Sequence, residues 1–422
     1  MRMPPRPLRE ALAALLLACA ALYALWLGGL APLAPHDLLG ELVGIGHIAS
    51  LDWVDTFASL WTPAALALLA APWWPLRRRL GLLAAGVALG TAWMLATARP
   101  QWWLYAYTFL AGAGLVAMGF LAQQAWLGVG ETRARATHLA CGVLLFIGFG
   151  VVTRTYLVHS AALAVPVLDW SAFRLDVAAF GFAPSAWAVA VAQSSDLLRI
   201  WLSICYELLP LAMFAVFALE ARDPARLPFG LLRGLFACGF AAALLYSVTP
   251  VAGPAYALVP AFPGQVELLL ERPPRWLETP TDRFSPRNAF PSFHFAWALL
   301  AVVLTWRQCG WLRAAFIAYA ALIAAATLAL GEHYLVDLVA SPPVLAAICA
   351  LCIERLGWRA RARWQALVGG LLLVLTWAVL LRPSVAQAAA GWPLLLAAWC
   401  ALNVAAGAWW IRGLLRAQRG AA

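Results

Sequence analysis

Residues 331–337, Gly331-Glu332-His333-Tyr334-Leu335-Val336-Asp337, open an apolar run that continues to about residue 354. Roughly 20 such residues carry an α-helix across the hydrocarbon core of a bilayer. The stretch therefore reads as a membrane span with an imidazole and a carboxylate at one edge. Ionisable groups at that depth are costly, and where present they mark function. His333 and Asp337 are four apart, so on a helix they share a face, and the carboxylate can hold the imidazole in one tautomer. A second histidine, in Pro291-Ser292-Phe293-His294, stands at the edge of a different apolar run.

The rest of the chain has the same character. Of 422 residues, 64% are hydrophobic and 11% charged, which excludes a soluble domain of this size. Apolar stretches fall at about 11–33, 55–76, 80–97, 103–126, 138–158, 197–219, 229–249, 291–307, 313–330, 334–354, 366–382 and 393–412. The expectation is an all-α polytopic bundle of about twelve spans. Tryptophan pairs at span ends (Trp73 and Trp74, Trp102 and Trp103, Trp409 and Trp410) suit the interfacial aromatic belt. The net charge of +10 comes from arginines in short loops and gives no nucleic-acid signal. The cysteines, including the Cys349–Cys352 pair, lie in or beside apolar runs and read as small packing residues. Arg2, Arg6 and Arg9 precede the first apolar run, which continues well past Leu16-Leu17-Ala18-Cys19 and favours an uncleaved first span.

With the N-terminus inside, 20 of the 29 arginines fall in inner loops, as the positive-inside rule requires. Both termini are then cytoplasmic. The loop Pro250–Phe290, His294 and His333 all land on the outer face. The alanine- and arginine-rich, lysine-free composition suggests a high-GC bacterial genome, which would make that face periplasmic or extracellular.

A histidine at a helix entrance lies where backbone N–H groups favour an anion. His294 can there protonate a departing alkoxide, while His333, backed by Asp337, can attack phosphorus. Arg287 stands seven residues before His294, at the helix entrance. Two other readings stay open. Asp37, Glu41, Asp52 and Asp55 in the first outer loop could serve a lipid-linked glycosyltransferase, and a transporter would use the spans but leave the histidines idle. His36, His47, His138 and His159 lack a carboxylate at helical spacing. Glu332 points about 100° around a helix from His333 and reads as facing solvent or a headgroup. Pro342-Pro343 predicts a kink in its span. No metal-ligand cluster is evident, so no cofactor is expected and activity should survive chelation.

Pro291-Ser292-Phe293-His294 together with His333-Tyr334-Leu335-Val336-Asp337 resembles the second and third motifs of the type 2 phosphatidic acid phosphatase superfamily. Ala289–Ala298 followed by His333–Ser341 is most similar to its inositolphosphotransferase branch, which includes inositol phosphorylceramide synthases. Pro250-Val251-Ala252-Gly253-Pro254-Ala255-Tyr256 is similar to an element that branch carries before its histidine loop, and the segments Asp169–Asp176 and Tyr206–Pro210 resemble its opening. The resemblance covers roughly residues 165–355. It implies a division into N-terminal helices of unassigned role (1–160), a six-helix catalytic core (161–356) and C-terminal helices (357–422). It implies His333 as nucleophile, Asp337 as its orienting partner and His294 as general acid. Gly253, Tyr256, Ser292, Arg287 and Arg154 are then the candidates for phosphate binding. The substrate class would be a lipid phosphate ester, with a lipid or polyol alcohol, or water, as acceptor. Two departures stand out: the first motif lacks its usual lysine and arginine, and Thr327 occupies the position of the arginine six residues before the nucleophile.

Overall fold

The computed structural model describes residues 62–71, 73–97, 102–161, 167–223, 227–258, 262–264 and 287–420. The expected first span and the first-loop acids Asp37, Glu41, Asp52 and Asp55 lie outside them, as do His36 and His47. Every regular element among the described residues is helical. Five helices are long and apolar enough to cross a membrane, or up to seven if each of two bent helix pairs is one span. The protein is an integral membrane protein, with fewer qualifying spans among the described residues than the twelve predicted.

The chain forms two compact units. The first contains α1 (Thr62–Ala70), α2 (Leu76–Thr97), α3 (Trp102–Leu127) and most of α4 (Gly130–Ala161). Within it, α2 and α3 approach until a Cβ at Gly86 would strike the backbone of Ala113. Small residues of this kind let membrane helices pack closely where water supplies no hydrophobic drive.

The second unit begins with α5 (Asp169–Phe180) and α6 (Pro184–Gln193), which meet at 91°. Gly181, in the left-handed region at φ 77°, ends α5, and Pro184 starts α6 at a position where its missing N–H is not needed. This bent pair is absent from the predicted spans because its two halves are each too short to show the helical-span signature. The unit continues with α7 (Asp196–Glu207); the chain then passes through α8 (Leu209–Arg222) of the first unit and returns along α9 (Leu231–Val248). After the four-residue turn of α10 (Pro254–Ala257) come α11 (Phe293–Leu304), α12 (Gly310–Ala329), α13 (Leu335–Cys352), α14 (Arg361–Leu380), α15 (Pro383–Ala390) and α16 (Pro393–Gly420).

Helix α13 is the axis of this unit and is almost wholly buried. Its Pro342 and Pro343 do not end it, because neighbouring helices accept the irregularity. A Cβ at Gly407 of α16 would stand 2.7 Å from Pro342, and one at Gly370 of α14 would stand 2.5 Å from the Pro343 carbonyl oxygen. The prolines therefore sit in glycine notches. Trp377 of α14 donates its indole N–H to the Asn403 side chain of α16 at 3.0 Å, with both fully buried. Such an interhelical bond is worth roughly 0.6–2 kcal/mol in a bilayer.

Helix α11 departs from its predicted span over 291–307. It is 12 residues long, roughly 18 Å at 1.5 Å per residue, and so shorter than a straight crossing. Ser292 caps its start, accepting from the Phe295 N–H at 3.3 Å, and Pro291 lies just before the helix and not within its first turn.

Candidate active site

Three short backbone segments of the second unit meet at the entrances of α11 and α13: 250–253, 287–294 and 331–334. Two buried aspartates on α5 hold the first and the last of these and the start of α13. Asp169 accepts from the N–H groups of Ala252 (2.9 Å) and Gly253 (2.8 Å) and from the Tyr334 hydroxyl at 3.1 Å. Asp176 accepts from the N–H groups of Leu335 (2.9 Å) and Val336 (2.8 Å), the first two residues of α13. Seven residues apart, the two carboxylates lie two helical turns apart on one face of α5. Each buried N–H they satisfy would otherwise cost about 1–3 kcal/mol. The sequence carried a signal for them, two acids at helical spacing in a mostly apolar twelve-residue segment that also holds Ser171 and Arg174, but not their roles.

Gly253 adopts φ 102°, and a Cβ there would run into the Glu332 carbonyl oxygen. Only glycine gives this backbone both its dihedral angle and its close approach. Ala255 then donates to the Gly331 carbonyl at 2.9 Å, and Ala289 to the Val251 carbonyl at 2.8 Å. These bonds fix the turn that presents His333.

His333 is not on a helix. It lies in the turn between α12 and α13, one residue before the cap Tyr334. The predicted shared helical face is therefore not what brings it to Asp337. Asp337 is the third residue of α13 and folds back to accept the Tyr334 N–H at 2.7 Å, a capping box. That placement carries its Oδ2 to 3.4 Å from His333 Nδ1. The shorter bond from Nδ1 is to the Ala289 carbonyl at 2.9 Å. A carbonyl oxygen only accepts, so Nδ1 carries hydrogen and the lone pair of the neutral ring is on Nε2. His333 is 2% exposed, and burial pushes its imidazole down to about 4, opposed by the Glu332 charge and the Ala289 bond. The ring is thus neutral near pH 7, and its contact with Asp337 is not an ion pair.

His294 is the second residue of α11. Its ring stacks on Tyr206 of α7, with centroids 4.6 Å apart at 24°, and its Nδ1 is 3.3 Å from the Tyr206 hydroxyl. A neutral ring accepting the phenol's proton at Nδ1 carries hydrogen on Nε2, and so does a cationic ring donating there. The His294 and His333 ring centroids are 6.1 Å apart, with the ring planes tilted by 60°. Tyr206 is thus a contact of the site whose segment the sequence singled out without giving it a role.

The other candidates are placed as follows. Ser292 is fully buried and occupied by structure: its N–H donates to the Asp337 carbonyl at 3.1 Å, its hydroxyl caps α11, and its carbonyl accepts from the Ser341 hydroxyl at 2.9 Å. The Gly253 N–H belongs to Asp169. The Tyr256 hydroxyl donates to Glu332 Oε1 at 2.7 Å. Glu332 therefore turns inward beside the site instead of facing solvent, and burial raises its carboxyl above the usual range, with the Tyr256 bond opposing. Arg287 is 2% exposed; burial lowers its affinity for the proton, and the charge of Asp169 opposes that. Ala289, two residues on, is the His333 acceptor, which puts Arg287 on the segment that positions His333. Arg154 belongs to α4, and its side chain lies outside the described residues.

Residues 173–351, less than half of the chain, match the PAP2 superfamily model. No curated protein and no solved structure matches the chain. The matched span begins within α5 and ends within α13, so it contains both histidines, Asp176, Asp337 and Tyr206.

Proposed function

We propose that the protein is an integral membrane phosphotransferase or phosphatase acting on lipid phosphate esters through a phosphohistidine on His333. The observation that carries this reading is the pair of opposed imidazoles. Each has its Nδ1 engaged, at Ala289 in one case and at Tyr206 in the other, so that both Nε2 atoms are left for chemistry, with a lone pair on that of His333 and, in the imidazolium, a hydrogen on that of His294. The match to the PAP2 superfamily supports phosphate-ester chemistry in general.

In the first step His333 Nε2 attacks phosphorus, the phosphorus–oxygen bond to the leaving alcohol breaks, and that oxygen takes the Nε2 proton of His294, which enters the step as the imidazolium, Nδ1–H towards the Tyr206 hydroxyl, and leaves it neutral. The phosphorylated ring is cationic, with Nδ1–H shared between the Ala289 carbonyl and the nearby Asp337 oxygen. In the second step an alcohol or water attacks phosphorus, gives its proton to His294, and restores the neutral His333. Such acid–base assistance is worth about 10²–10⁴ in rate. Phosphate oxygens would meet Arg287 and the opening amides of α11, at Phe293 and His294, since amides of a first helical turn lack intrahelical partners.

The similarity of the two histidine motifs to inositolphosphotransferases supports a lipid or polyol alcohol as acceptor in a transferase, with water the acceptor in a phosphatase. The asymmetry of loop arginines supports a site on the outer face of a bacterial plasma membrane, with both termini inside.

The test is turnover of a panel of headgroup-labelled phospholipids by the purified protein beside His333→Ala and His294→Ala. Label release, or a new phosphorylated lipid, that disappears in both variants is expected. Turnover unchanged in both would overturn the proposal.

A further inference from the structure

At the end of α11 and the start of α12 farthest from the histidines, a cavity of about 440 Å³ opens between Trp306, Arg307, Gln308, Arg313 and Arg419. Helix α11 runs from His294 to Leu304 and α12 returns from Gly310 to the His333 turn, so roughly 18 Å of helix separates this cavity from the site. Among the described residues its lining holds three guanidinium groups and no carboxylate. Arg313 is held over the Trp306 ring at 5.4 Å. Arg307 reaches the buried Gln418 side chain at 3.5 Å, which aims it beside Arg419. The charges bearing on Arg307 are those of Arg419 and Arg355, both of like sign, and together with burial, the larger effect, they lower its affinity for the proton.

Gathering like charges around a hollow is unfavourable unless an anion enters it. The neighbouring surface tells which kind. Trp311, Trp358 and Trp364, at the same ends of α12, α13 and α14, are 72%, 54% and 48% exposed. Exposed indoles at the ends of membrane helices sit at headgroup level. We propose that this cavity binds the phosphate of an anionic phospholipid in the leaflet opposite the two histidines, a site separate from the catalytic one. Its arginines would make charge-assisted bonds to phosphate oxygens, while Trp306 packs along the glycerol backbone.

Native mass spectrometry of the detergent-purified full chain tests this with dioleoylphosphatidylglycerol, dioleoylphosphatidylcholine and soluble glycerol phosphate. Each surface arginine removed should weaken anionic-lipid retention roughly fivefold, so Arg307→Gln with Arg419→Gln should weaken it roughly 25-fold. Arg419→Gln alone, at an exposed position in the last helical turn, should show the single step even if the double variant folds poorly. Arg359→Gln, exposed outside the cavity, should retain the lipid like the wild type. Equal retention by wild type and both cavity variants would overturn the proposal, as would phosphatidylcholine held as well as phosphatidylglycerol. Displacement by millimolar glycerol phosphate would overturn the lipid assignment in favour of a soluble phosphate ligand.

Discussion

Tyr206 lies flat against His294 with its hydroxyl 3.3 Å from Nδ1, across 88 positions of sequence. With Nδ1 engaged by the phenol, the other nitrogen of that ring is the one left for proton transfer. Tyr206→Phe keeps the stacked ring and removes only the hydroxyl. On the proposed mechanism it should lower kcat about tenfold, less than the ~10²–10⁴ attributable to a whole general acid, with little change in KM. The pH–rate profile should shift on the limb that reports His294. A loss confined to KM would contradict this role for the hydroxyl.

The turn carrying His333 depends on Gly253. Gly253→Ala meets both an unfavourable φ and the Glu332 carbonyl, so a loss of about 1–3 kcal/mol and of most activity is expected. Gly413→Ala, in α16 with open space around it, should be neutral or slightly stabilising. Thermal unfolding of the two variants beside the wild type checks the contrast.

Asp176→Ala strips the acceptor from the N–H groups of Leu335 and Val336 at the entrance of α13. A cost of about 2–4 kcal/mol is expected from two buried amides left without a partner. Asp176→Asn, which keeps one acceptor oxygen, should recover part of it. Denaturation midpoints of the pair would show the ordering.

His333 titrates at about 4 in the folded protein against 6.5 in its absence. Its folded pKa is depressed, so its contribution to stability is fully present above pH 6.5 and is lost as pH falls from 6.5 towards 4. The shift corresponds to a contribution on the order of 3 kcal/mol at most. Wild-type protein should therefore lose more thermal stability than His333→Asn between those pH values. On the proposed mechanism His333 should also remain neutral to about pH 5, so the acid limb of phosphoenzyme formation should fall below that pH.

Much of what meets at the candidate site stands out in the sequence itself. The two histidine motifs, Asp337 and the 250–256 turn are continuous strings, and their chemistry is visible in residue type. What the strings could not show is how they are joined. The spacing of His333 and Asp337 suggests one helical face, but the helix starts at Leu335, and a capping box produces the contact instead. Gly253 and Ser292 look like phosphate ligands, yet their N–H groups are already used by Asp169 and the Asp337 carbonyl. Tyr206 and Asp169 act on residues 88 and 165 positions away, and pairings of that range are set by tertiary packing, not by local pattern. The bent pair α5–α6 escaped the span reading for a related reason: two short helices separated at Gly181 and meeting at 91° show neither the length nor the continuity that identifies a crossing helix.

The most direct test of the central claim is to catch the covalent intermediate. Protein incubated briefly with a phosphate-labelled lipid substrate and quenched in alkali should carry label on a peptide containing His333. That label should be stable in base, labile in acid, absent from His333→Ala, and formed in His294→Ala when the substrate has a good leaving group. Label on another residue, or full turnover with no labelled protein at any time point, would contradict the account.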